Sequence, residues 1–144
     1  RALNSATSTA DSADVLYKLY RSYRDRKDYK AAHMHLTKLT SSGIAFQPAR
    51  KKELDFDNAD LYYLLTERDK AVLAYKDVIS IYAKDPDVAW AYYQLGTIYK
   101  SMNNSKEAIE YFNTLVTTFP TSYWAEHARF HVKSMMNTYN EKKQ

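Results

Sequence analysis

His127 and His131 stand four residues apart, the spacing at which two imidazoles on one helix face can share a metal ion. The one nearby acid, Glu126, falls on another face of such a helix, so no third ligand is at hand. Groove-lining or solvated imidazoles are the plainer reading. His33 and His35, two apart, point in different directions on a helix, which excludes shared ligation by that pair. With no Cys, disulfides, zinc ribbons and thiol catalysis fall away. No phosphate-cradling glycine loop, nucleophile elbow or paired-carboxylate motif occurs. The expectation is a non-catalytic protein with no cofactor and no metal.

Two groups remain that could bind something. Tyr is in excess, at 14 of 144 residues, joined by two Trp and five Phe. Rings left in a groove supply contact area at low entropy cost and are enriched at binding hot spots. The second group is basic: Lys18, Arg21, Arg24, Arg26, Lys27 and Lys30. It could meet anionic lipid headgroups, as a peripheral membrane contact, or an acidic protein. Asp25 and Asp28 dilute it, so a solvated rim is the plainer reading. The net charge of +4 is mild and its acids and bases interleave, which argues against nucleic acid.

These side chains must be positioned by helices. Two Gly and three Pro in 144 residues fit helices joined by short turns, not an all-β fold. Contents of 45% hydrophobic and 26% charged residues suit a soluble globular domain, and no apolar run approaches the ~20 residues of a bilayer span. Arg1, with no Met and no signal-like apolar stretch after it, reads as a processed or cloned boundary. Residues 1–12 read as a polar linker or a frayed helix end, with Asp11 or Ser12 as a cap. From Ala13 a helical period places Val15, Leu16, Leu19, Tyr20 and Tyr23 on one face. A charged break follows, and then a second helix with Tyr29, Ala32, Leu36 and Leu39. Residues 40–54 break the period, with Gly43 as a helix-ending glycine and Pro48 beyond it. Residues 41–54 are expected to be the least protected internal stretch.

From Trp90 to Pro120 the pattern is fullest: Tyr92, Leu95, Gly96, Tyr99, Ala108, Phe112, Leu115 and Pro120. Their order and spacing resemble a complete tetratricopeptide repeat, whose two amphipathic helices come close at the glycine. Leu61, Leu65, Ala74, Val78, Ile81 and Pro86 precede their counterparts by one period of 34, which makes a middle repeat with Ala74 in the Ala108 column. Leu19, Tyr23, Ala32, Leu36 and Leu39 repeat the spacing again, with Tyr20 where Gly96 stands. The interval from Ala32 to Ala74 is 42, so roughly eight residues are inserted relative to the family period. The implied organisation is a linker (1–12), a first repeat (13–46), an insertion (47–54), a second repeat (55–88), a third (89–122), and a capping helix and tail (123–144). The implied fold is all-α: a right-handed solenoid of three helix-turn-helix repeats plus a C-terminal capping helix that turns Ala125, Ala128, Val132 and Met135 inward.

The resemblance also implies a function. Family members grip extended or helical peptides on a concave surface lined by the first helix of each hairpin. Carried over by position, those columns hold Asp14, Tyr17, Arg21 and Arg24, then Phe56, Ala59 and Tyr63. They continue with Trp90, Tyr93, Thr97 and Lys100, and with Trp124, His127 and His131 on the closing helix. The expected partner is another protein or peptide segment. The clamp that some members use for chaperone tails is missing, because Tyr17, Arg21, Asp60, Trp90 and Gln94 include one cation only. Pro120 to Ala128 is similar to repeats of bacterial cell-envelope proteins of the BamD and CpoB type, which implies a periplasmic or envelope setting. The alternative is a structural or oligomerisation module of a larger complex, working through its convex or N-terminal surface. A large apolar patch outside the groove would favour that alternative.

Overall fold

The computed structural model describes the backbone of residues 2–144 and the side chains of residues 10–144. Among the described residues the chain is all-α, with seven helices and no strand. They are α1 (Ala2–Asp25), α2 (Tyr29–Thr40), α3 (Pro48–Leu64), α4 (Arg68–Ile81), α5 (Val88–Ser101), α6 (Ser105–Thr118) and α7 (Tyr123–Lys143).

Three times the chain reverses through the same turn. Lys27, Thr66 and Asn103 take positive φ, at 63°, 59° and 59°. The N–H of the residue after each returns to a tyrosine carbonyl, that of Tyr23, Tyr62 or Tyr99, at 2.9, 3.0 and 2.9 Å. This closes the first helix of each hairpin by satisfying carbonyls that its end leaves bare. At two of the turns the next helix is capped at once: Asp28 accepts from the Ala31 N–H and Asn104 from the Glu107 N–H.

Counting from these turns sets the register of the second helices. Ala32, Ala71 and Ala108 occupy the fourth position of α2, α4 and α6, and all three are fully buried. Leu36, Tyr75 and Phe112 follow one turn later, and then Leu39, Val78 and Leu115. The middle repeat therefore lies three residues away from its expected place: Ala71, not Ala74, stands in the Ala108 column, and the intervals are 39 and 37 residues. Ala74 is only half-buried, and its neighbour Leu73 is 64% exposed. Three residues are close to one helical turn, so the apolar pattern looks nearly the same in either register. The same shift puts Ala59, not Tyr62, at the place of Gly96. Ala59 is fully buried and lines no groove.

Two further boundaries differ from expectation. Of residues 1–12, Arg1 lies outside the described residues, and the rest belong to α1 from Ala2 onward, so neither Asp11 nor Ser12 caps it. Repeated Ala, the best helix former, with no Gly or Pro to stop it, carries the helix through this polar stretch. The segment 47–54 extends α3: Pro48 occupies the first turn, where its missing N–H does no harm, and Leu54 is buried. The irregular stretch shrinks to 41–47, and Ile44 and Phe46 pin it to the core.

The chain divides into two compact units, residues 1–71 and 72–144. In the first, α1 packs on α2 and α2 on α3, around Tyr20, Ala32, Leu36, Leu39, Leu54 and Leu61. In the second, α5, α6 and α7 pack on one another around Ala89, Ala108, Phe112, Leu115, Ala125 and Ala128. Val132 and Met135 join this core, and Ser122 caps α7 by accepting from the Trp124 N–H. Gly96 is required by the second core, because a Cβ there would overlap the Phe112 ring. In the first unit the bulk is reversed: Tyr20 on α1 shares its core with the smaller Leu36.

Candidate functional site

In the second unit, residues 90, 93, 97 and 100 recur along one face of α5, and 124, 127 and 131 along one face of α7. The two faces meet in a cluster of rings. Trp90 lies 4.4 Å from Trp124 between centroids and stacks on Tyr93 at 6.1 Å, while Tyr93 and Trp124 are 5.0 Å apart. Tyr123 stands edge-on to Trp124 at 4.9 Å and to His127 at 4.5 Å. Tyr93 and Trp124 rest on the core below, and Tyr93 comes within 5.9 Å of Phe112. Trp90 is half-buried, His127 is exposed and Tyr123 is 65% exposed, so the cluster has a packed base and an open top.

His131 ties the base together. Its ring stacks flat on Phe112 at 5.0 Å, with an interplanar angle of 4°. The Lys100 ammonium, which can only donate, lies 3.1 Å from Nδ1. That nitrogen is therefore the acceptor, and Nε2–H donates to the Tyr93 hydroxyl at 3.2 Å. Burial, together with the positive charge of Lys100 and the neighbouring His127, holds the imidazole below its ordinary range and hence neutral at pH 7. With both nitrogens engaged, His131 has none to offer a metal. Among the described residues no three His, Asp or Glu side chains form a metal-binding group. Thr97 turns its hydroxyl to the Gln94 carbonyl of its own helix, at 2.9 Å.

In the first unit the predicted residues have partners within the fold. Tyr17 donates to Glu53 Oε1 at 2.8 Å, and Arg21 Nη1 meets the same oxygen at 2.6 Å. Arg50 forms an ion pair with the other Glu53 oxygen at 3.3 Å and lies over the Tyr17 ring at 3.6 Å. One turn along, Tyr20 donates to Asp57 Oδ2 at 2.9 Å and Arg24 pairs with it at 2.6 Å. Burial pushes the Asp57 carboxyl up, and Arg24 and the Tyr20 hydroxyl pull it partly back. These two rungs clamp α1 to α3. Of the basic set, Lys18 pairs with Asp14 at 2.9 Å, and Arg26 lies over the Tyr23 ring at 4.8 Å. Phe56 is half-buried on α3, and Tyr63 is exposed near its end.

Sequence reasoning missed Tyr123 and the acceptors Glu53 and Asp57. Tyr123 opens α7 directly after its cap, a position outside the columns of the resemblance. Glu53 and Asp57 sit four apart on α3, a spacing that was readable. Reading residues 47–54 as an insertion hides it, because Glu53 then falls outside any helix.

The family model described as Tetratricopeptide repeat matches residues 91–121, which run from within α5 through α6 to the turn after it. Among solved structures, the chain is similar to one titled "Crystal structure of MamA". The TM-score is 0.59 at 20% identity, with coverage of 91% of this chain and 80% of that one. At that identity the likeness speaks to the fold alone. Among curated proteins, none matches the sequence.

Proposed function

We propose that this chain is a protein-protein interaction scaffold whose α5–α7 aromatic face docks a segment of a partner protein. The observation that carries this reading is the open cluster of Trp90, Tyr123, Trp124 and His127 over the packed rings of Tyr93 and His131. Such rings are amphipathic and already held in place, so docking onto them orders little that was free. The chemistry on this face is contact chemistry. It fits the adaptor role of the tetratricopeptide repeat. On the resemblance of residues 120–128 to envelope repeats, we place that partner in the bacterial envelope.

The second reading, an oligomerisation module, draws support from α4. Leu73 and Ile81, 64% and 58% exposed, lie eight residues apart and hence on one face.

Peptides selected from a random library on the native chain provide the test. Trp90→Ala should weaken a selected peptide by about 2 kcal/mol, roughly 30-fold. Its melting temperature should fall by no more than a few degrees. Selected peptides that bind the variant unchanged would remove the aromatic face from the reading. Peptides that instead respond to Leu73→Glu would favour the second reading.

A further inference from the structure

A pocket of about 510 Å³ opens in the second unit between the start of α6 and the C-terminal half of α7. Its apolar wall is made by Ile109, Met135 and Tyr139, and three lysines, Lys100, Lys106 and Lys142, also line it; the Lys100 ammonium lies 3.1 Å from His131 Nδ1. None of its described lining residues is acidic. Met135 packs against the core and Tyr139 is 53% exposed, so the wall is anchored on one side and open on the other. Methionine side chains adapt to irregular shapes, which suits a pocket that takes a side chain from outside.

We infer that this pocket is a second docking site, which takes an acidic segment of a partner protein with one or two large apolar side chains inserted between α6 and α7. Charge complementarity selects the occupant. Three cations with no acid among them favour carboxylates at the rim, and the apolar wall favours a Phe or Leu at the centre. The site lies beyond the aromatic face described above, and of the residues named for that face it shares only Lys100.

The test uses the whole chain with ¹³C-methyl methionine and indole ¹⁵N signals observed together. The probes are a synthetic peptide with Phe-Leu flanked on each side by two Asp, its counterpart with Lys for Asp, decanoate, and phosphatidylglycerol vesicles. The acidic peptide should shift the Met135 and Met136 methyls saturably and lose affinity as salt rises. The basic peptide should not shift them. The double variant Lys106→Glu, Lys142→Glu should weaken the acidic peptide about tenfold, and these exposed positions leave the fold intact. Equal binding of both peptides, binding of neither, or a response to decanoate or vesicles alone would overturn the inference. If the acidic peptide moves only the Trp90 and Trp124 indoles, the inference falls while the aromatic face stands. If it moves only the methionine methyls, the inference holds whatever becomes of the aromatic face.

Discussion

The hairpin α1–α2 and the hairpin α5–α6 share a turn, a buried alanine and a core leucine, yet they use the same outward face in opposite ways. Counted from the turn, Tyr17 corresponds to Tyr93, Arg24 to Lys100 and Tyr20 to Gly96. Against α1 the chain sets Glu53 and Asp57, so hydroxyls and guanidiniums there are consumed in two rungs of a clamp. Against α5 it sets Trp124, His127 and His131, and the result is a stack of rings with an open top. What a column residue does is decided by the helix across from it.

If that contrast is right, the largest stability effects should come from the first unit. Tyr20→Ala should cost about 3–5 kcal/mol, because it empties a fully buried ring site. Asp57→Ala should cost about 2–3 kcal/mol by leaving Arg24 and the Tyr20 hydroxyl without their acceptor. By contrast, Tyr123→Ser on the open aromatic face should change stability by no more than about 0.5 kcal/mol. Urea melts of the three variants would measure this order, and a Tyr123 effect as large as that of Asp57 would break it.

Next in size are the close approaches inside the hairpins. Gly96→Ala should destabilise by about 1–3 kcal/mol, since the buried Phe112 ring must shift by more than the roughly 1 kcal/mol of helix propensity returns. Ala71→Leu should cost about 1–3 kcal/mol and Ala74→Leu less than about 1 kcal/mol. The reverse order would restore the period of 34 and cancel the corrected register.

Most of the fold was legible because its signals are local and periodic. Leu95, Gly96, Tyr99, Ala108 and Phe112 announce one hairpin, and Ala125, Ala128, Val132 and Met135 announce the helix that closes on it. The register of α4 was not legible, because a slip of three residues keeps apolar side chains on nearly the same face. The site was half legible. The columns of the resemblance contain Trp90, Tyr93, Trp124 and His131, which come together, but the fate of Tyr17 and Arg21 depends on Glu53, which is 32 residues beyond Arg21 in sequence. No column pattern along one helix contains that information.

A smaller effect should separate the two faces by pH. The folded-state pKa of His131 lies below its ordinary value of 6.5, so near pH 6 the unfolded chain binds more protons than the folded one. The stability this contributes is fully present above pH 6.5 and is lost as pH falls toward the folded pKa. His131→Gln should flatten that part of the stability-pH curve while leaving the clamp between α1 and α3 untouched. An unchanged slope in the variant would mean that another group carries it.

Hydrogen exchange on the native chain, with and without a saturating library-selected peptide, tests the central claim most directly. Slowed exchange confined to α5 and the first half of α7, with α1 and α3 unchanged, is the predicted result. Slowing in α1 and α3 with none in α5 or α7 would contradict the account, because it would make the clamped face the binding one.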